Sequence, residues 1–108
     1  MVPEGWLRTT LGALGRIKSG ATPLRSEGDR YFSAAGHPWV KTMDLNNGEI
    51  FNTTECITDT ALKETSCSMF PEGTVLIAMY GGFNQIGRTG LLKKPSAINQ
   101  AISSNSAR

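Results

Sequence analysis

Thr74-Val75-Leu76-Ile77-Ala78-Met79-Tyr80, then Gly81-Gly82, then Ile86-Gly87-Arg88-Thr89-Gly90-Leu91-Leu92: this stretch decides the fold. The first run is apolar almost throughout and too short for an ordinary helix, so it reads as a strand buried on both faces. The glycine pair reverses the chain, and residues 86–92 read as a second strand. Pro95 breaks the pattern, and residues 97–102 make a third extended segment. Residues 103–108 are polar and read as a frayed tail. Toward the N-terminus, Pro71 and Gly73 close off one clear helix over residues 59–66. Thr58 is its cap, Asp59 suits the positive end of its dipole, and Ala61 and Leu62 give a short apolar edge.

Earlier still, Asn46-Asn47-Gly48 predicts a tight hairpin-like reversal, since Asn and Gly tolerate positive φ. Pro38-Trp39-Val40 begins an extended segment. Residues 20–33, with Gly20, Pro23 and Gly28 and no apolar period, read as a long loop of the kind that carries function. Residues 6–11 and 16–18 read as short strands about turns at Gly12 and Gly15. Twelve glycines and five prolines cut the chain into pieces too short for a helical bundle. The expected class is α+β: a small, strand-rich twisted sheet with one or two short helices and long loops.

A chain of 108 residues makes one domain or part of one. The longest apolar stretch, residues 75–80, is far short of the roughly 20 residues that a bilayer span needs. Met1-Val2-Pro3-Glu4 places an acid where a secretory signal carries basic residues, so the expected compartment is the cytoplasm. The net charge of +2 says little, but its distribution is uneven. Residues 5–26 hold Arg8, Arg16, Lys18 and Arg25 and no acid, and residues 73–108 hold Arg88, Lys93, Lys94 and Arg108 and no acid. Residues 27–72 hold three basic and eight acidic side chains, a net −5. If the flanks converge they make a basic face suited to a polyanion; if not, the segregation is that of a solvated surface.

Catalytic and metal chemistry is thin. Cys56, Cys67 and His37 are too few and too scattered for a zinc site, and Asp44, Asn46 and Gly48 miss the calcium-loop spacing. Gly82-Phe83-Asn84-Gln85-Ile86-Gly87-Arg88-Thr89 approaches a phosphate-binding loop, but Arg88 replaces the lysine, and Gly90 and Pro95 leave no room for the helix behind it. There is no nucleophile elbow, and Asp44, Glu49 and Glu55 are not spaced with a lysine as a nuclease core requires. His37 reads as a loop histidine. No cofactor, metal or catalytic group is expected.

A binding role remains. Gln or Asn pairs bidentately with adenine and Arg with guanine, which makes Asn84, Gln85 and Arg88 a candidate reading set, with Phe83 beside them. Thr22, Arg25 and Arg30 in the long loop, and Lys41 and Thr42 after Trp39, offer groups for phosphates or bases. Taken singly, each also fits ordinary loop polarity. Arg88 equally suits a pair with an acid of the middle segment, and Phe83 a place on the core.

A resemblance covers nearly the whole chain. Pro3-Glu4-Gly5-Trp6, Leu11-Gly12, Ser19-Gly20-Ala21-Thr22-Pro23, Pro38-Trp39-Val40 with Asp44-Leu45, and Ile57-Thr58 through Leu62 and Ser66 to Pro71-Glu72-Gly73-Thr74-Val75-Leu76-Ile77 occur in order. Met79-Tyr80-Gly81, Ile86-Gly87-Arg88 and Asn99-Gln100-Ala101-Ile102 complete the series. Together they resemble a target-recognition domain of the specificity subunits of type I restriction–modification systems. The resemblance implies a non-catalytic module that reads double-stranded DNA. Partner methyltransferase subunits flip and methylate an adenine, and a restriction subunit docks on the assembly in a prokaryotic cytoplasm.

The family's recognition domain runs further, so the chain corresponds to about the first two-thirds of one, an incomplete domain over residues 1–108. Base-contacting residues vary within the family and none is carried over by position. Two other readings remain open: a module that docks the methyltransferase with little DNA binding of its own, and a nucleotide-binding enzyme built on residues 82–89. An incomplete sheet also predicts a homodimer through an exposed edge.

Overall fold

The computed structural model describes residues 16–82 and 84–106. They form strands β1 (Arg16–Ser19), β2 (Phe32–Val40), β3 (Gly48–Ile50), β4 (Glu55–Ile57), β5 (Val75–Ala78), β6 (Thr89–Leu92), β7 (Ala97–Ile98) and β8 (Ile102–Ser106). One α-helix, α1 (Asp59–Glu64), and 3₁₀ turns at Arg25–Arg30 and Thr42–Asp44 complete them. The α+β, strand-rich class holds, but the strands divide into two sheets. Five run in the order β1-β8-β5-β6-β3 and three in the order β4-β2-β7. Both sheets are mixed: β3 pairs with β6 and β2 with β7 in parallel, and the other pairs are antiparallel.

The smaller sheet is a wall between two cores. Successive strand residues face opposite ways, so Trp39 enters one core and Val40 the other, and Ala97 and Ile98 divide likewise. Val40 and Ile98 meet Leu76, Ala78, Leu92 and Ile102 from the larger sheet. Trp39 and Ala97 meet Ile57, Tyr31, Cys67 and Ala61 of α1. The helix starts where the sequence predicts, with Thr58 as cap accepting the Ala61 N–H at 3.1 Å, and ends at Glu64, two residues short of the expected 66. A Cβ on Gly90 would lie 2.3 Å from the Ile50 Cδ1, so the buried Ile50 side chain would have to shift to admit one.

Several expectations are corrected. Residues 103–106 are not a frayed tail but most of β8, paired on one side with β1 and on the other with β5. Backbone bonding along both edges outweighs the polar side chains, and Ser104 is buried with its hydroxyl donating to the Lys18 carbonyl at 2.8 Å. The segment 97–102 is two strands in different sheets, separated by a turn in which Asn99 Oδ1 accepts from the Ala101 N–H. β5 is buried on one face only: Leu76 and Ala78 point inward, while Val75 is 42% exposed. β6 begins at Thr89, and Ile86 and Gly87 belong to the turn before it. Asn47 does adopt positive φ (59°), but β3 pairs with β6 in parallel, so no hairpin results. The loop over 20–33 contains the first 3₁₀ turn and the start of β2. The strand at 6–11, with Gly12 and Gly15, lies outside the described residues.

Candidate functional site

One end of the larger sheet gathers most of the predicted binding residues. There β5 leads through residues 79–88 into β6, closed by the Ala78 N–H to Arg88 carbonyl and Gly87 N–H to Ala78 carbonyl bonds, both 2.9 Å. The Ser19-Gly20-Ala21-Thr22-Pro23 segment packs onto the turn between β7 and β8. The Ala21 N–H donates to the Ile98 carbonyl, and a Cβ on Gly20 would lie 2.1 Å from that oxygen. The Thr22 hydroxyl donates to Gln100 Oε1. Ala21 in turn accepts the Trp39 indole N–H at 3.1 Å and the Cys67 thiol at 3.4 Å. Three separate sequence motifs thus meet at one backbone carbonyl.

Glu55 ties together the cations of this rim. Arg25 grips it with two nitrogens, at 2.6 and 2.9 Å, and the Lys41 ammonium reaches the same carboxylate at 2.6 Å. Arg25, and then Lys41, hold the Glu55 carboxyl far below the usual range, at about 2. The Arg25 guanidinium also lies over the rings of Phe32 (4.8 Å) and Trp39 (5.3 Å), where cation–π attraction fixes its plane. Beside Lys41, Asp44 accepts the Lys41 N–H at 2.8 Å and both the N–H and hydroxyl of Thr54 at 3.3 Å. This holds the turn that presents Thr42.

Thr42 reaches the β5–β6 loop. Its hydroxyl donates to Gln85 Oε1 at 3.1 Å, and the Gly82 N–H donates to the same oxygen at 3.2 Å. Three more of the loop's amides are spent internally: Gln85 N–H on the Gly82 carbonyl, Gly87 N–H on the Ala78 carbonyl and Arg88 N–H on the Gln85 carbonyl. Thr89 N–H donates to Asn47 Oδ1. A phosphate loop needs free N–H groups and a helix behind them; here four of the loop's amides are bonded and a strand follows, which speaks against the nucleotide-binding reading.

Arg25, Lys41, Thr42 and Gln85 therefore share one connected rim, and Thr22 is held at the neighbouring turn. Asn84 is exposed on the loop, and Arg88 is half-buried with no carboxylate partner among the described residues. Phe83 lies outside them. Arg30 turns away to Glu64, at 2.6 Å, and Glu27. His37 pairs with Asp59 at 2.6 Å beside α1, holding that carboxyl below its usual range.

Among the described residues the basic flanks converge only in part: Arg25 and Arg88 share this rim, and the lysines do not. Lys93 and Lys94 sit at the far end of β6 from Arg88, against Glu49 (3.4 Å) and Asn52 (3.5 Å), and Lys18 meets Ser68. The sequence reading weighed Asp44 and Glu55 only as nuclease or calcium acids and named Gln100 only within the resemblance, so their part in holding the rim was missed. The acidic excess of residues 27–72 was the available signal, because it offers partners for basic groups on either side. Among the described residues no group of three or more His, Cys, Asp or Glu is placed to hold a metal, and no helix is long and apolar enough to cross a membrane.

Residues 3–107 match the family model of the type I restriction modification DNA specificity domain. The chain belongs to this family. Among curated relatives of the specificity domain, the MjaIX specificity subunit of Methanocaldococcus jannaschii is 30% identical over 104 residues, 94% of this chain and 23% of its own length. The fold matches a chain in a structure of an assembled type I R-M system (TM-score 0.67) and the HsdS subunit of Thermoanaerobacter tengcongensis (TM-score 0.65). Each is 22% identical and covers all of this chain, which covers 25% of the other. The specificity domain thus spans about a quarter of the length of these relatives.

Proposed function

We propose that this chain reads part of a double-stranded DNA target for a type I restriction–modification system, and that its rim of Arg25, Lys41, Thr42, Asn84, Gln85 and Arg88 faces the duplex. The observation that carries the proposal is the connected rim itself, where residues from four separate segments are fixed at one end of a sheet. Phosphate contacts supply affinity, and amide and guanidinium groups supply sequence preference. Methylation and cleavage are the work of methyltransferase and restriction subunits that assemble with it, in a prokaryotic cytoplasm. Selection from random duplex DNA at rising salt tests this. A short enriched motif, with affinity falling as salt rises, is the expected outcome; no binding at low salt would remove the reading.

The dispersed basic groups favour a second reading, in which the chain chiefly docks the methyltransferase. Co-purification with that subunit in the absence of DNA binding is its signature. β1 is an edge strand among the described residues, and pairing of two copies there would give a homodimer, which sedimentation at rising concentration detects.

A further inference from the structure

The Gln85 amide is held in one orientation by its neighbours. A backbone N–H can only donate, so the atom facing Gly82 N must be the oxygen Oε1. The Thr42 hydroxyl donates to that same oxygen, and a carbonyl oxygen has two lone pairs. Both are now used. The Nε2 group keeps two N–H donors and has no partner among the described residues, while the side chain as a whole is only half-buried. A bidentate Gln–adenine pair needs Oε1 to accept from the adenine N6 amino group while Nε2 donates to N7. With Oε1 occupied, that pairing is blocked, and the exposed Nε2 would meet the N6 amino group donor to donor.

Resting on the DNA-reading role above, we propose that Gln85 is a specificity-determining residue that reads a base edge as a donor only, selecting guanine through O6 and N7, with thymine O4 second, and rejecting adenine. Thr42 is its positioning residue, fixing which atom of the amide is presented. Asn84, exposed and with no such clasp, lacks that constraint.

The test compares motifs selected from random duplex DNA by the wild-type chain, Gln85→Glu and Thr42→Val, with circular dichroism confirming that each is folded. Gln85→Glu keeps an oxygen for Gly82 and Thr42 but replaces the free donor by an acceptor. One motif position should then switch from guanine or thymine to cytosine, whose N4 donates, with a discrimination of roughly 5- to 150-fold. Thr42→Val frees one Oε1 lone pair and should admit adenine at that same position. An unchanged motif in folded Gln85→Glu, or equal loss at every position, overturns the assignment while DNA reading stands. A wild-type motif from which neither variant departs overturns it too. No wild-type motif at all would overturn the DNA-reading role, and this assignment with it.

Discussion

The two halves of the rim are fixed by different physics. Around Glu55 the contacts are ionic: two cations on one carboxylate, and one of them stacked on two aromatic rings. Around Gln85 they are neutral, a hydroxyl and a backbone amide on one oxygen. The ionic half is already satisfied from within, so a phosphate must compete with Glu55 for Arg25 and Lys41. In the neutral half the Gln85 amide spends only its acceptor oxygen and keeps its Nε2 donors. On the proposed role, reading falls to the Gln85 side, and the Glu55 side would act mainly as a frame that meets the backbone.

Removing the frame has the largest expected effect. Glu55→Ala leaves Arg25 and the largely covered Lys41 side by side without a counter-charge, and Lys41 is 19% exposed. Partial solvent screening lowers the penalty of a broken buried pair to about 2 kcal/mol, read as a fall in Tm of several degrees. The same substitution frees two cations, so non-specific DNA affinity should rise and its salt slope steepen while any selected motif stays the same. A motif changed by Glu55→Ala would mean that the two halves are not separable.

Acid probes the frame without mutation. The Glu55 carboxyl has its folded pKa lowered from the ordinary 4.5 to about 2. A depressed pKa stabilises the fold above the unfolded value, and that contribution is lost as pH falls from about 4.5 toward 2. With Arg25 more than half exposed, the loss over this window is about 1–2 kcal/mol. Denaturant melts at pH 6, 4 and 3 should show a shallower decline for Glu55→Gln than for the wild type. Equal slopes would assign the acid sensitivity to other carboxylates, of which Asp59 and Glu64 are also held low, by His37 and Arg30.

Thr42→Val sharpens the comparison from the neutral side. It deletes one hydrogen bond at a half-buried position, a loss of about 1 kcal/mol, with little dependence on salt or pH. If its effect instead varied with salt as that of Glu55→Ala does, the loop would be governed by the charges of the frame.

What could be read in the sequence was what is local. Thr58 and Asp59 start α1 within a single turn, and Asn47 carries its own positive φ. β8 could not be read, because Ser103 to Ser106 have strand character only through partners on both sides, one of them from β1 near the other end of the chain. The one-faced burial of β5 likewise depends on where the second sheet lies. At the rim, the residue types were legible but their partners were not: Arg25 and Glu55 are thirty residues apart, and Thr42 and Gln85 forty-three. Nothing in the local pattern distinguishes a free arginine from one already engaged. Hence the sequence left open whether the flanks form one basic face; in the fold Arg25 is paired and Lys93 and Lys94 lie at the far end of β6.

The smallest expected effect separates place from charge. Arg88→Ala and Lys93→Ala each remove one positive charge, and neither should change stability by more than about 0.5 kcal/mol. If DNA binding were a matter of net charge alone, the two would weaken it equally. Arg88 precedes β6 at the rim and has no carboxylate partner among the described residues, whereas Lys93 follows β6 and faces Glu49 at 3.4 Å. Arg88→Ala should therefore reduce the slope of log affinity against log salt by about one, as loss of one phosphate contact does, or relax one motif position. Lys93→Ala should leave both nearly untouched. Equal losses would move the DNA off the rim and onto the outer surface of the sheet, where Lys93 would contribute as much as Arg88.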